Sequence, residues 1–212
     1  MKKHPSFTSL YVILIPSIAI VLTDSIIGDY ELFKLINQRI ANSILDVACI
    51  YASPVLLSIF YLFTLVRLYV SHKTTAISNG AISLITGPLC YLIGSIAKLL
   101  VKRPRPFTVL QGVRVIGPWE TGSFSFPSTT TMLAFGFTIP ILLASNNRVH
   151  GIILSVLSYF IGFSVIYSGF HFPADVAAGI LISLAITLCT TRLQKPIVRF
   201  LETRRTDSVS QL

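Results

Sequence analysis

The chain has 212 residues, of which 53% are hydrophobic and only 12% are charged, and its formal net charge is +9. Soluble domains carry roughly 25% charged residues, so this composition excludes a soluble globular domain and indicates a protein that sits in a lipid bilayer. In such a protein the cations flank the membrane spans and contact anionic lipid. We therefore expect the bilayer, and no nucleic acid, as a partner.

Six apolar segments are candidates to cross the bilayer, which takes about 20 mostly apolar residues in a helix. Lipid offers the backbone no hydrogen-bond partner, so we predict a helix for each segment. In chain order they are residues 7–23, 47–70, 77–101, 129–145, 149–168 and 173–191. The sequence predicts an all-α polytopic membrane protein, a bundle of six transmembrane helices in one domain at residues 1–202, followed by a polar cytoplasmic tail at residues 203–212.

The connection between the first two spans mixes apolar and charged side chains. Residues 24–46 contain Asp29, Glu31, Lys34 and Arg39 among many Ile and Leu residues. A helix with one charged and one apolar face lies in the membrane interface. We therefore predict one amphipathic interfacial helix here.

The loops between the spans differ in their content of Lys and Arg, and cytoplasmic loops of membrane proteins are enriched in both. Placing Lys2 and Lys3 in the cytoplasm puts Lys73, Arg148 and the basic C-terminal end on the same side. The ends of the third and fifth spans then share the outer face with the starts of the fourth and sixth. We expect a protein of a bacterial inner (plasma) membrane with cytoplasmic termini and an outward-facing site.

A basic cluster ends the third span, where Lys98, Lys102, Arg103 and Arg105 follow one another closely. Ionisable residues at the level of lipid are costly and usually functional. The prolines after Arg103 and Arg105 stop the helix and bend the chain over the surface, so Arg105 can approach the same anion as Lys98. The cluster favours a phosphate site; a stop-transfer signal that meets lipid headgroups is the alternative.

The fourth span opens on Pro127, Ser128, Thr129 and Thr130. The first turn of a helix leaves backbone N–H groups free at the positive end of the helix dipole, and this arrangement suits an anion. Ser128 and Thr129 are therefore candidate phosphate ligands. Ordinary N-capping by a hydroxyl is the alternative.

The sixth span opens on His171, Pro173 and Asp175. Proline suits the first helical position, which puts His171 before the helix and Asp175 in its first turn. At this spacing a carboxylate can reach one imidazole nitrogen and leave the other as nucleophile or base. We predict a catalytic pair; helix capping with a hydrogen-bonded interfacial histidine is the alternative.

Together, the three segments bring cations, a helix start and a His–Asp pair to one membrane face. Phosphoryl transfer requires charge neutralisation, positioning and a nucleophile. Ligands for a metal are not evident, because Asp175 is the only acid in the three segments and Glu120 stands alone. We therefore predict phosphoryl chemistry on a phosphorylated lipid, with no metal and no other cofactor.

In these motifs the chain resembles the type 2 phosphatidic acid phosphatase superfamily of membrane lipid phosphatases. The first family motif, Lys, six residues and Arg-Pro, matches Lys98 and Arg105, and the second, Pro-Ser-Gly-His, keeps its serine at Ser128. The third ends in His, three residues and Asp, which match His171 and Asp175. The resemblance covers nearly the whole chain. It implies a phosphohistidine at His171, which Asp175 orients. It also implies that Lys98, Arg105 and Ser128 hold the phosphate.

Two motif positions depart from the family pattern. The His of the second motif, which protonates the leaving group, is Thr130, and the phosphate-binding Arg of the third motif is Val165. A Thr hydroxyl is too weak an acid to replace that His, and a general acid contributes about 10²–10⁴-fold in rate. The cations that remain as replacements for the missing Arg are Lys102, Arg103 and Arg114.

A missing acid matters least when the leaving group is itself a phosphate or an anomeric sugar oxygen. The sequence thus predicts a phosphatase for a lipid pyrophosphate, such as undecaprenyl pyrophosphate, or for a lipid A phosphate, in preference to phosphatidic acid. A lipid phosphotransferase, and an impaired family member that binds phosphorylated headgroups, are the alternatives. A transporter is disfavoured because no charged relay runs through the spans.

Overall fold

The computed structural model describes residues 8–70, 74–117, 124–144 and 148–210. Over these residues it contains helices, turns and loops and no strand, so the all-α prediction is confirmed. A π-helical turn at Leu35–Arg39 follows the second helix, and a 3₁₀ turn at Thr191–Leu193 precedes the last. The helices are α1 (Thr8–Ile27), α2 (Asp29–Lys34), α3 (Ser43–Val70), α4 (Thr74–Val101), α5 (Pro106–Val109), α6 (Thr129–Ala144), α7 (Arg148–Tyr167), α8 (Pro173–Thr190) and α9 (Gln194–Ser210).

Each predicted span coincides with a helix, and the chain is an integral membrane protein. Four helical segments are long and apolar enough to cross a bilayer, namely Leu10–Ile27, Ser43–Val70, Ala76–Val109 and Pro173–Phe200. The predicted fourth and fifth spans correspond to shorter apolar helices, Thr129–Leu143 and Ile152–Tyr167. Beyond the last span, α9 continues as far as Ser210, so most of the predicted polar tail is helical.

The centre of the bundle is α6, which contacts α1, α3, α4, α7 and α8. It is apolar on every side, as expected of a buried helix, and Phe135 and Ile139 within it are fully buried. A Cβ on Gly136 would lie 2.8 Å from the Cα of Gly87 in α4. This close approach of two backbones sets the end of α4, with its basic cluster, beside the start of α6.

The segment between the first two spans, where one amphipathic interfacial helix is predicted, holds α2 and the π-helical turn, and α1 and α3 take up its two ends. The first span continues to Ile27, and Gly28, with a φ of 91°, separates it from α2. That φ lies in the left-handed region, which glycine adopts without strain. Asn42 then caps α3, because its Oδ1 accepts the N–H of Leu45 at 2.9 Å.

The three predicted functional segments meet at one end of the bundle. The N–H of Ser125 donates to the carbonyl oxygen of Arg103 at 2.8 Å, and the N–H of Ser128 donates to that of Asp175 at 3.1 Å. Arg105 reaches the turn before α8, where its Nη1 donates to the carbonyl oxygen of Phe170 at 2.8 Å. These contacts join the end of α4, the start of α6 and the start of α8.

Candidate active site

Lys98 lies in the last turn of α4 and is buried. Its Nζ donates to the carbonyl oxygen of Phe124 at 2.7 Å and to that of Ser125 at 3.1 Å. These two carbonyls belong to the loop that leads into α6. A buried cation needs such polar partners, and here they fix Lys98 beside the helix start that Ser128 occupies.

Arg105 follows the end of α4 and is also buried. Its backbone is extended, with φ −79° and ψ 156°, because Pro104 and Pro106 prevent the helix from continuing. Its guanidinium donates a hydrogen bond to the carbonyl oxygen of Phe170, the residue that precedes His171. Lys98 and Arg105 thus approach the His–Asp pair from the same segment.

Ser128 caps the start of α6, as the capping interpretation predicts. Its Oγ accepts the N–H of Thr131 at 3.4 Å and lies 2.9 Å from the Thr131 Oγ1. Thr129 is buried, and its Cγ2 would lie 2.9 Å from a Cβ on Gly94, so its side chain packs on α4. Any role of Thr129 toward an anion therefore falls to its backbone N–H, which has no partner within the helix.

His171 stands in the turn between α7 and α8, and this turn needs a glycine. Gly169 has a φ of 89°, and a Cβ there would lie 2.5 Å from the carbonyl oxygen of Arg114. The N–H groups of Phe170 and His171 both reach the Val165 carbonyl oxygen, at 3.1 and 3.2 Å. The backbone around the imidazole is therefore tightly held.

Asp175 is fully buried in the first turn of α8 and faces the imidazole. Its Oδ2 accepts the N–H of Phe172 at 2.9 Å and lies 3.6 Å from the Nδ1 of His171. The carboxylate therefore caps the helix, yet the buried Nδ1 has no hydrogen-bond partner within 3.5 Å. With Nδ1 turned toward Asp175, the other ring nitrogen, Nε2, faces away from the carboxylate.

The environment of His171 keeps its imidazole neutral. Burial lowers the pKa of His171 to about 4; the charges of Lys98 and Arg105 act in the same direction, and Asp175 opposes them. A neutral imidazole has a free lone pair on one nitrogen. The ring therefore keeps this free lone pair throughout the neutral pH range.

We expect the lowered pKa of His171 to be measurable by NMR in solution. In a histidine-labelled sample in detergent micelles, the NMR signal that His171→Asn removes should titrate near pH 4 and not near the ordinary value of 6.5. The imidazole then gains its proton only as the pH falls through about 4. A His171 signal that titrates near 6.5 contradicts the buried, cation-flanked position described here.

The two departures from the family motifs lie in different surroundings. Thr130 is half-buried in the first turn of α6. Val165 is buried in an apolar cluster that includes Phe33, Phe172 and Ile180. Val165 therefore contributes its backbone carbonyl oxygen, which accepts the N–H groups of Phe170 and His171, but no charged side chain.

Asp29 has no role in the site on the basis of the sequence, and Arg103 is there only one of three candidate replacements for the missing Arg. The guanidinium of Arg103 pairs with Asp175, at 2.7 Å between Nη1 and Oδ1, and with Asp29 of α2. The Oδ1 of Asp29 also accepts the N–H of Ala174 at 2.9 Å. The sequence signal was limited to the charge of Arg103 within the basic cluster, and Asp29 looked like one of several interfacial charges.

The other cations considered as replacements for the missing Arg do not pair with Asp175. Arg114 pairs with Asp46, at 2.7 Å between Nη2 and Oδ2, in a contact that Tyr167 shares through a 2.6 Å hydrogen bond to Asp46. Lys102 is exposed and has a φ of 53°. Of the three candidates, Arg103 is therefore the one that pairs with Asp175.

A sequence model of the PAP2 superfamily matches residues 79–199, which is more than half of the chain. The chain belongs to the PAP2 superfamily. The resemblance to type 2 phosphatidic acid phosphatases is thus confirmed, and the matched region includes Lys98, Arg105, Ser128, His171 and Asp175. Asp29 lies outside it.

Several proteins resemble this PAP2 member over most of its length. The undecaprenyl-diphosphatase of Sulfolobus acidocaldarius is 28% identical over 200 residues, which cover 92% of this chain and 93% of that protein. Undecaprenyl-diphosphatase BcrC of Bacillus subtilis is 29% identical over 159 residues, 74% of this chain and 80% of that protein. The crystal structure of Aquifex aeolicus LpxE superposes with a TM-score of 0.62 at 28% identity, over 77% of this chain and 94% of that one.

Proposed function

We propose that this PAP2 member is a membrane lipid phosphatase that removes a phosphate from a lipid phosphate or pyrophosphate through a phosphohistidine at His171. The observation that carries the proposal is the buried His171–Asp175 pair, with 3.6 Å between Nδ1 and Oδ2, beside two buried cations. Relatives that cover most of the chain are named undecaprenyl-diphosphatases, and this supports a lipid diphosphate as substrate.

The reaction has two steps. In the first, the lone pair of the His171 Nε2 attacks phosphorus, a P–N bond forms, and the bond from phosphorus to the leaving oxygen breaks with its electron pair. Asp175 holds the Nδ1 side of the ring and stabilises the positive charge that the imidazole gains. In the second, a water oxygen attacks phosphorus and the P–N bond breaks with its electron pair returning to Nε2. One water proton stays on the inorganic phosphate that leaves, and the other passes to solution.

Lys98 and Arg105 neutralise the phosphate oxygens in both steps. Each is buried, so its charge acts in a region of low dielectric where it is worth more than in water. The backbone N–H groups at the start of α6, after Ser128, add donors at the positive end of a helix dipole. Thr129 supplies the first of these N–H groups. No metal is assigned a role in the proposed steps.

Thr130 shapes the choice of substrate. The leaving oxygen of a diphosphate belongs to a phosphate monoester and departs without a proton, whereas the alkoxide of phosphatidic acid requires one. Without the family's acid at position 130, the reaction with an alkoxide loses about 10²–10⁴-fold. A lipid diphosphate, or an anomeric phosphate of the lipid A type, is therefore the preferred substrate.

The arrangement in the membrane follows from the charges. We propose that α1, α3, α4, α6, α7 and α8 all cross the bilayer and that α2 with its π-helical turn lies in the outer interface. Both termini are then cytoplasmic, because the basic loop residues gather on that side. The site faces outward, at the surface of a bacterial inner (plasma) membrane.

A second function is favoured by Thr130 and Val165 alone. Without the acid and the third-motif Arg, the same scaffold can bind a phosphorylated headgroup and leave it intact. Such a protein binds lipid phosphate in a way that needs Arg105 but is indifferent to Asp175. Turnover that depends on His171 rules this alternative out.

A lipid panel separates the two functions. Protein purified in detergent micelles is assayed for phosphate release from a prenyl diphosphate, a lipid A-type phosphate and phosphatidic acid, with and without a chelator. We expect release from the prenyl diphosphate, at least about tenfold faster than from phosphatidic acid because of the missing acid, and unaffected by the chelator. Absence of release from every lipid in the panel contradicts the proposed function.

A further inference from the structure

One guanidinium lies between two carboxylates beside the reacting pair. The Nη1 of Arg103 donates to the Asp175 Oδ1 at 2.7 Å, and its Nη2 donates to the Asp29 Oδ2. The guanidinium carbon also lies 4.3 Å from the centre of the Phe172 ring, a cation–π distance. Both Nη groups thus point at carboxylates of the protein.

Asp29 anchors this arrangement from a different part of the chain. It is the first residue of α2, and its second oxygen accepts the N–H of Ala174 at 2.9 Å. The same carboxylate therefore holds Arg103 and the first turn of α8, which carries Asp175. Since Asp29 lies outside the residues that match the family, this anchor is not part of the matched motifs.

The contacts of Asp175 are divided between its two oxygens. Oδ1 accepts from Arg103, while Oδ2 accepts from the Phe172 N–H and faces the Nδ1 of His171. The loss of the Arg103 contact leaves the carboxylate with the Phe172 hydrogen bond on Oδ2 and removes the restraint on Oδ1. The carboxylate also becomes a fully buried charge without its cation, which is strongly unfavourable.

We propose that Arg103 is a positioning residue, which orients Asp175 toward His171 and offsets the charge of Asp175, and which Asp29 holds in place. The inference rests on the proposed function for its effect on turnover. Its effect on the His171–Asp175 pair does not depend on turnover. A role of Arg103 as a phosphate ligand, in place of the Arg missing at Val165, is the competing assignment that the experiment excludes or supports.

The charges around the pair determine the direction of the expected shifts. Lys98, Arg105 and Asp175 face His171, and Arg103 acts on it through Asp175. Asp29 and Asp24 face Arg103 and Asp175 from the corner between α1 and α2. Removing the cation raises the pH at which the pair takes up a proton, on whichever member it settles. Removing the Asp29 charge leaves Arg103 with Asp175 as its carboxylate partner and lowers that pH.

The test compares Arg103→Gln, Arg103→Lys and Asp29→Asn with the parent on the prenyl diphosphate and by NMR of His171. For Arg103→Gln we expect kcat to fall about 10- to 100-fold, the cost of a misplaced catalytic group, with KM within about threefold. The His171 titration should move up by about one pH unit or more, the usual effect of a lost opposite charge beside a carboxylate. Asp29→Asn should move it down, and Arg103→Lys should restore the titration but only part of kcat.

Lys102→Gln is the matched control, since it removes an exposed cation from the neighbouring position and should leave kcat and the titration unchanged. Folding of each variant is checked by thermal unfolding in micelles. If Arg103→Gln does not fold, Arg103→Lys decides, through a reduced kcat with KM within about threefold and unchanged inhibition by orthophosphate. A raised KM and weakened inhibition by orthophosphate in Arg103→Gln, with the His171 titration unmoved, overturn the inference. A parent without turnover contradicts the proposed function instead, while the NMR shifts still test Arg103.

Discussion

Replacing His171 by alanine should reduce phosphate release from a prenyl diphosphate to the background. Loss of a covalent nucleophile removes the P–N intermediate altogether, and comparable losses elsewhere are about 10⁴- to 10⁶-fold. The proposed phosphate ligands Lys98 and Arg105 remain, so the loss should appear in kcat far more than in KM. The measurement is steady-state phosphate release by the purified variant.

His150→Ala is the control for this experiment. His150 lies at the start of α7, at the opposite end of that helix from the turn that carries His171, so its replacement should leave turnover unchanged. Thermal unfolding of both variants separates lost chemistry from lost folding. If His171→Ala retains more than a few per cent of parental turnover while folded, another group is the nucleophile.

Introducing a histidine at position 130 should change which lipids are cleaved. Thr130→His restores a proton donor at the start of α6, so we expect release from phosphatidic acid to rise by about 10²-fold, within the range for a general acid. Release from a prenyl diphosphate should change less than about tenfold, because its phosphate leaving group departs without a proton. The ratio of the two kcat/KM values is the quantity to measure.

Thr130→Asn is the matched control, because asparagine is polar and similar in size to histidine but has no proton to transfer near neutral pH. It should reproduce neither the gain nor the change in ratio. Equal gains on both lipids, or a gain with asparagine, mean that residue 130 acts on something other than the leaving group. Val165→Arg does not belong in the same variant, since it buries a guanidinium in the apolar cluster around Phe172.

The helices could be predicted from the sequence because apolar runs in lipid have one economical structure. The start of α8 at Pro173 agrees with the prediction, since proline suits the first helical position and is disfavoured deeper in a helix. The interfacial segment was predicted less well. Its composition indicates an amphipathic helix, but Gly28, with its left-handed φ, separates α1 from α2.

Within the site, local spacing carried the prediction and long-range packing did not. His171 precedes α8 and Asp175 lies in its first turn, where it caps the helix through the Phe172 N–H, so their proximity follows from the local structure of the helix start. The pairing of Arg103 with Asp29 joins residues 74 positions apart, and nothing in either segment specifies it. For the same reason Arg114, one of the spare cations, could not be assigned to Asp46 before the structure was known.

The stereochemical course at phosphorus tests the phosphohistidine most directly. A prenyl diphosphate whose terminal group is a thiophosphate, chiral through oxygen isotopes, is hydrolysed in isotopically labelled water, and the configuration of the released thiophosphate is determined. Each in-line displacement inverts phosphorus, so transfer to His171 followed by hydrolysis predicts overall retention. Overall inversion means that water attacks the lipid phosphate directly, and it contradicts the covalent intermediate.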